Sequence, residues 1–470
     1  MAAAPRDITI VGGGIIGCCT AYYLTRHPSY SPDLHRITLL EASSSSAGGR
    51  TADSIQDPAT LADPATAPKR NPAHEGIAGG ASGKAAGLLA LWAFPRNIVP
   101  LSFHLHDELA REYGGDKRWG YRRCYASQID CRPRLPSGAA DAGGPTDAES
   151  VGGAAEPASR GLHKDHKKDR SALRKLGVPA DLDWVDSEAL AAYEGMGTPD
   201  NTAQVHPELF TRSMAQLAEE KGVAIVTGAK VTAINKTAGG DAVSSVTYTR
   251  DGKEETVAAT DCIVAAGPWT RTLLPEIPVT AARVHSVVIK TPKPFSPYAL
   301  FTSIRLPPGF PAPTPANIPG AARAAPPPLR GERIVEPEIY PRPDGTAYAC
   351  GPPDAVAELP PMSTGVAVDV ARCDDILRQV RGISGELGPA GEGEGGRQGA
   401  AVLARQACYL PQGGPWIGKA GPTRGLVVAA GHTCWGIQNA PATGKLVSEI
   451  IFDGETRSAR LGGCDPALVL

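Results

Sequence analysis

The sequence predicts an α/β protein in which a Rossmann-like nucleotide-binding domain carries a second domain, built on an antiparallel β-sheet with flanking helices. Three observations support this. Residues 8–11 form a short, apolar, β-branched run that passes straight into Gly12-Gly13-Gly14 and then Gly17, a G-x-G-x-x-G spacing. A second strand-like run, 36–40, ends in Glu41, 24 residues beyond Gly17. Between 284 and 350, short segments around an Asp344-Gly345 turn have the alternation of antiparallel strands.

Each glycine of the first motif has its own task. Gly12 permits a tight turn, Gly14 lets backbone approach a pyrophosphate, and Gly17 lets the following helix pack closely on its strand. That helix, entered through Ile15 and Ile16, points its N–H groups at the phosphates. Glu41, with Ala42 beside it, stands where a carboxylate accepts hydrogen bonds from ribose hydroxyls. The pattern predicts a dinucleotide site.

Residues 42–76 are rich in Ser, Gly, Ala and Pro and read as a loop insertion. The stretch 79–90, GGASGKAAGLLA, reads as a second glycine/serine phosphate cradle feeding a helix. Ser82 as cap of that helix is compatible with this reading. Residues 101–113 look helical and end at Gly114-Gly115. Low-complexity residues 132–170 finish in a charged run, 163–170, whose histidines lack an apolar frame and read as a solvated insertion rather than a metal site. Trp184-Val185 is strand-like, with Ser187 placed to cap a helix. His206 caps or packs beneath an amphipathic helix, 208–221, which Gly222 stops.

Strands are expected at 223–234 and 243–248, with Asp251-Gly252 as a hairpin turn. A buried strand from 261 ends at Ala265-Ala266-Gly267, a further candidate contact because open α/β sheets bind ligands at the carboxyl ends of their strands. The proline-rich segment 307–329 excludes a central strand, 366–384 reads as a helix, and a Gly/Glu-rich loop follows to 397. Finally a strand at 425–430 meets Gly431-His432-Thr433-Cys434-Trp435-Gly436 and a helix beginning near Gln438. This is a second strand–glycine–helix device, at the opposite end of the chain from the first.

A net charge of −2 argues against nucleic acid and anionic membrane as electrostatic partners. The longest apolar run outside the first motif, 85–94, is too short to cross a bilayer, and residues 1–7 have no secretory character. Ten scattered cysteines without Cys-x-x-Cys spacing read as reduced and mostly buried, in a cytosolic setting. No metal site is expected.

Taken together, ITIVGGGIIG, Glu41, GGASGKAAG, DCIVAAGPW and the terminal PWIGKAGPTRGLVVAAGHTCWGIQNAPATGKLVSEII resemble the D-amino-acid-oxidase superfamily of FAD-dependent oxidoreductases, which includes sarcosine and other amine oxidases. The inserted loops look most similar to a fungal subgroup of oxidoreductases linked to late-endosome-to-Golgi transport. The resemblance implies a GR2-type βαβ FAD-binding domain in three pieces, 1–110, 196–280 and 401–470. Between them it implies a substrate domain from 111–195 and 281–400. It further implies that Gly12, Gly13, Gly14 and Gly17 serve the pyrophosphate and Glu41 the ribose. Ser82, Gly83, Lys84, Ala85, Gly87 and Leu88 would flank the pyrophosphate and ribityl chain, Val231 the adenine, with Ala266, Gly267 and Trp269 nearby. Gly431, His432, Trp435, Gly436 and Ile437 would reach the isoalloxazine ring, where a helix N-terminus favours the negative charge of the reduced form.

By this resemblance an amine gives up a hydride to flavin N5, the imine hydrolyses, and O2 reoxidises the flavin to give H2O2. No separate catalytic base is assigned; Tyr409, His432, Trp435 and Gln438 are the pocket-wall candidates. Cys408 occupies the place where sarcosine oxidases tether FAD through a thioether, so covalent attachment stands beside non-covalent binding. Two cationic anchors of the family are absent: the Arg-Pro pair reads Leu410-Pro411, and a lysine after the terminal glycine loop reads Gln438. Without those charge-assisted bonds an amino-acid carboxylate loses its grip. An FAD-dependent amine oxidase, and a trafficking or scaffold protein with structural FAD and endosomal partners, are therefore both open readings. A cytoplasmic place with late-endosome association fits either.

Overall fold

The computed structural model describes residues 5–45, 50, 71, 74–135, 173, 175–314, 326–354, 358–389 and 399–470. The insertions expected at 42–76 and 132–170, with the charged run 163–170, lie largely or wholly outside these residues. So do the centre of the proline-rich segment and most of the Gly/Glu-rich loop.

One sheet has six strands in the order Trp416–Lys419, Leu426–Ala430, Asp261–Val264, Arg6–Val11, His35–Glu41 and Ala224–Thr227, all parallel except the first. Ile10, Leu39, Ile263 and Val428 are fully buried, as strands covered on both faces require. One face is covered by the helices Ile15–Leu24, Pro207–Glu219 and Gly436–Asp453. The other is covered by a three-stranded antiparallel sheet, Lys230–Lys236, Val243–Arg250 and Lys253–Ala258. The hairpin turn expected at Asp251-Gly252 is there, both residues having positive φ, 50° and 74°.

The first and last helices are packed against one another. A Cβ on Gly444 would lie 2.6 Å from backbone of Cys19, so only glycine permits this approach. The two strand–glycine–helix devices from opposite chain ends are thereby brought side by side, with neighbouring N-termini. Ten free cysteines, eight of them buried, include the Cys18-Cys19 pair at this crossing.

A second sheet carries seven strands in the order Ala401–Gln412, Thr280–Lys290, Thr346–Cys350, Glu338–Pro341, Tyr298–Leu306, Tyr125–Cys131 and Leu190–Gly197, and an eighth, Arg333–Val335, pairs with Tyr298–Leu306. The helix Val370–Ile383, capped by Asp369, buries Cys373, Ile376, Val380 and Ile383 against one face of this sheet.

Four expectations are corrected. Residues 79–90 form a short 3-10 turn, Ala81–Gly83, and a strand, Leu88–Ala90, not a helix, because Gly87 (φ 91°) turns the chain against Val205 O. Trp184-Val185 lies in a bend, where Trp184 is fixed by stacking on Phe295 at 5.0 Å. Ser187 opens a 3-10 turn, and the sequence then continues as the strand Leu190–Gly197. Residues Ala401–Gln412, placed by sequence with the nucleotide-binding part, are the edge strand of the eight-stranded sheet, paired with Thr280–Lys290. The buried centre of this edge strand, Gln406 to Tyr409, lies between partly exposed ends.

Candidate FAD and substrate site

A cavity of about 510 Å³ runs along the carboxyl ends of the parallel strands. It lies where strand order reverses on either side of Arg6–Val11, the crevice in which such sheets bind ligands. Gly12, Gly14, Ile15 and Ile16 form its floor at the first helix. Gly12 has φ 115°, and a Cβ there would sit 2.4 Å from Ala265 O, so the turn requires glycine. Gly17 fits the close-packing role, a Cβ there meeting Gly12 O at 2.0 Å. At Gly14, by contrast, the only atom within 4 Å of an added Cβ is Ser82 Oγ at 3.2 Å; the backbone here faces open space.

Ser82 caps a helix, but a different one from that expected: the Ile15 N–H donates to Ser82 Oγ at 2.9 Å, tying the second glycine segment to the first helix. Glu41 lines the cavity, held by N–H donation from Gly13 at 2.7 Å and Ser43 at 2.8 Å. Burial raises its pKa, and these two backbone bonds oppose that rise.

At the other end stand Leu410, Pro411, Gly431, His432, Gly436 and Ile437. The helix Gly436–Asp453 directs its N-terminus here, supplying partial positive charge. Pro441, inside this helix, has no N–H for the Ile437 carbonyl, and His106 Nε2 takes its place at 2.9 Å. His432 pairs through Nε2 with Thr443 Oγ1 at 3.0 Å, while its Nδ1 is buried with no partner among the described residues. An elongated crevice, an open backbone at Gly14, two helix N-termini and an orphaned polar nitrogen fit a dinucleotide that ends in a polar ring system.

A family model described as FAD dependent oxidoreductase, DAO, matches residues 7–59 and 73–450. The chain belongs to the DAO family. Its cofactor is FAD. It is 30% identical to "Putative oxidoreductase TDA3" of Saccharomyces cerevisiae, over 98% of this chain and 94% of that one. To "Putative oxidoreductase C1F5.03c" of Schizosaccharomyces pombe it is 29% identical, over 98% of each. The fold matches glycine oxidase from Geobacillus kaustophilus with a TM-score of 0.59 at 17% identity, covering 98% of both chains. It matches iminodiacetate oxidase from Chelativorans sp. BNC1 with a TM-score of 0.57 at 15% identity, again over 98% of both.

In this DAO-family cavity Ala42, Ser82, Ala85, Val231, Ala266, Gly267 and Trp269 also take lining positions. Other expected contacts do not. Lys84 is 1% exposed and turns inward, donating to the carbonyls of Gly79 and Gly80, and burial with Arg50 nearby lowers its pKa to about 8. Gly83 and Gly87 serve backbone packing against Ala78 and Val205, and Leu88 is in a strand. Tyr409 faces away from the side of its strand that bears Leu410, its hydroxyl donating to Glu358 O. Gln438 is fully buried and accepts from Ala90 N–H at 2.8 Å, and Trp435 packs on Trp92 at 5.6 Å. Sequence reasoning missed Lys230, Thr232, Leu273 and the loop Pro361-Met362-Ser363. That loop is fastened by Ser43 Oγ to Ser363 Oγ at 2.6 Å and Trp269 Nε1 to Pro360 O at 2.6 Å, and nothing in its composition marks it.

Cys408 lies just outside the cavity lining; burial pushes its thiol up to about 11, with Lys84 opposing. A thiol so reluctant to ionise is a poor nucleophile. Acid precipitation of the yellow protein is therefore expected to release the colour into the supernatant; a yellow pellet would make Cys408 a tether. Burial also holds His106 near 4 and His432 near 3. Both lie below the ordinary value of about 6.5, so the unfolded chain takes up protons first as pH falls. Stability is complete above that value and declines toward pH 4, on the order of 3 kcal/mol for each histidine. Thermal unfolding across this range measures it.

Proposed function

We propose that this FAD-dependent oxidoreductase is an amine oxidase acting on a CH–NH or CH–NH2 group of a substrate that carries no carboxylate. One observation carries the proposal. Among the described residues of the cavity wall the only lysine is Lys230, beside Val231, and there is no arginine; the end bearing Leu410 and Pro411 offers no cation to a carboxylate. The solved neighbours named for glycine, iminodiacetate and L-amino acid chemistry support an amine as the reacting group.

Bound FAD supplies the acceptor for a hydride and the route to O2. The chain's own residues do the rest. The N-terminus of Gly436–Asp453 stabilises negative charge at the ring end, neutral His432 offers an uncharged polar contact, and the apolar wall of Leu410, Pro411 and Ile437 excludes water. A primary amine, O2 and water would give an aldehyde, ammonia and H2O2 in equal amounts. Peroxide formation by the flavin-loaded protein with a panel of carboxylate-free amines tests this. Equimolar peroxide and aldehyde is the expected result; no peroxide from any amine would overturn the proposal.

The endosome-to-Golgi role implied by the fungal resemblance is proposed as its cellular setting. Among the described residues no helix is long and apolar enough to cross a membrane. Retrograde transport that persists in cells whose protein cannot bind FAD would favour the scaffold reading over the enzymatic one.

A further inference from the structure

We infer that the sheet face opposite the ring end of the cavity is a cation-binding box centred on Glu338, and that it selects amines bearing a second positive charge, of the diamine or polyamine class. This rests on the amine-oxidase reading and names the substrate class for the same site.

The box follows from register. Phe301, Glu338 and Cys350 are directly opposed on three adjacent strands, so they share one face. Tyr340 and Tyr348 are opposed two residues further along, on the same face. Trp92 completes the wall from the turn after Leu88–Ala90, edge-on to Phe301 at 6.1 Å and to Trp435 at 5.6 Å. Phe301 and Tyr340 are 6.2 Å apart, and Tyr340 and Tyr348 6.1 Å. Trp435, in contact with this wall, stands between Cys434 and Gly436, both of which line the FAD cavity. The box therefore adjoins the ring end of the cavity.

Glu338 is an unusual residue to leave there. One oxygen, Oε2, accepts from the Tyr340 hydroxyl and from Cys350 Sγ at 3.7 Å; Oε1 accepts no hydrogen bond among the described residues. The carboxylate forms no ion pair among them either. Burial raises its pKa, and the two hydrogen bonds oppose this. A half-buried carboxylate enclosed by aromatic faces, without a cation of its own, is stabilised by a cation brought from outside. The nearest arginine along the strand, Arg342, lies over Tyr348 at the far edge of this face, with its terminal nitrogens turned to Ala85 O at 2.9 Å and His206 Nε2 at 3.4 Å and its Nε unpartnered among the described residues; it makes no ion pair with Glu338. The Glu338 end of this face thus presents an anchor for an ammonium.

Diaminobutane, butylamine and aminobutyric acid share one carbon chain and differ at the far end, which is an ammonium, a methyl or a carboxylate. Anaerobic reduction of the flavin-loaded protein by each gives its affinity. Diaminobutane is expected to bind at least about tenfold tighter than butylamine, with aminobutyric acid weakest, as a charge-assisted contact predicts. In Glu338→Gln, whose amide oxygen still accepts from Tyr340, the preference for diaminobutane over butylamine falls to near unity. Retained flavin absorbance shows that the variant is folded. Equal binding of the three, or a preference that survives Glu338→Gln, overturns the inference while leaving amine oxidation standing. Tetramethylammonium, which cannot be oxidised here, separates the other case. If it perturbs the flavin spectrum of the parent protein but not of Glu338→Gln, and no amine reduces the flavin, the cation box stands and the oxidase reading fails.

Discussion

Gly14→Val is expected to yield a folded but colourless protein. The Gly14 backbone is extended, with φ −76° and ψ 176°, a conformation open to any residue. An added side chain meets only Ser82 Oγ, at 3.2 Å, before it enters the cavity. It therefore occupies the space where a pyrophosphate approaches the first helix, without straining the turn. FAD affinity should fall at least about a hundredfold, close to 3 kcal/mol. Thermal unfolding of the flavin-free protein should change little. Gly12→Val provides the contrast: positive φ and the contact with Ala265 O make that substitution destabilise the fold itself. Flavin content after purification and the melting temperatures of the stripped proteins check both; a yellow Gly14→Val protein would contradict the site.

Glu208→Gln should be strongly destabilising although Glu208 lies away from the cavity wall. The Glu208 carboxylate is buried and accepts from Arg50 at 2.7 Å and Arg212 at 3.2 Å. Burial pushes its pKa up, but the two guanidinium groups more than offset this and hold it at about 2. Removing that charge leaves Arg50 without its partner beside Lys84 and Arg342, both themselves buried. Breaking such a pair costs about 3–5 kcal/mol. Arg50 also donates to Gly83 O at 3.1 Å, so the second glycine segment loosens and FAD binding weakens. Because the folded pKa is depressed, this contribution is present above the unfolded value of about 4.3 and is lost as pH falls toward 2. Chemical denaturation of parent and variant between pH 7 and 2 should show a gap that narrows over the lower half of that range; a gap independent of pH would remove the carboxylate from the account.

The nucleotide half of the fold was legible because its constraints are local. Gly12 needs positive φ, Gly17 needs contact with its own turn, and apolar runs such as 8–11 must be buried on both faces. The second glycine segment reads from sequence as the entry to a helix of its own, but it forms a 3-10 turn and a strand. Ser82 serves the first helix, 67 residues away in sequence, and no local signal conveys that. The family resemblance implies a place for Lys84 beside the pyrophosphate, yet the inward-facing carbonyls of Gly79 and Gly80 claim it. Tyr409 and Leu410 are neighbours in sequence on opposite faces of one strand; only the register with Thr280–Lys290 decides which of them meets the cavity. Glu338 carries no local signal for the same reason. Its meaning arises from residues on other strands and turns, Phe301, Tyr348 and Trp92, which the chain brings together only on folding.

The most direct test of the amine-oxidase account is anaerobic mixing of the flavin-loaded protein with a carboxylate-free amine while the flavin absorbance is followed. The yellow band is expected to bleach in a single amine-dependent phase and to return when O2 is admitted, with one H2O2 formed for each amine consumed. A flavin that stays oxidised with every amine offered, though chemically reducible by dithionite, would contradict it.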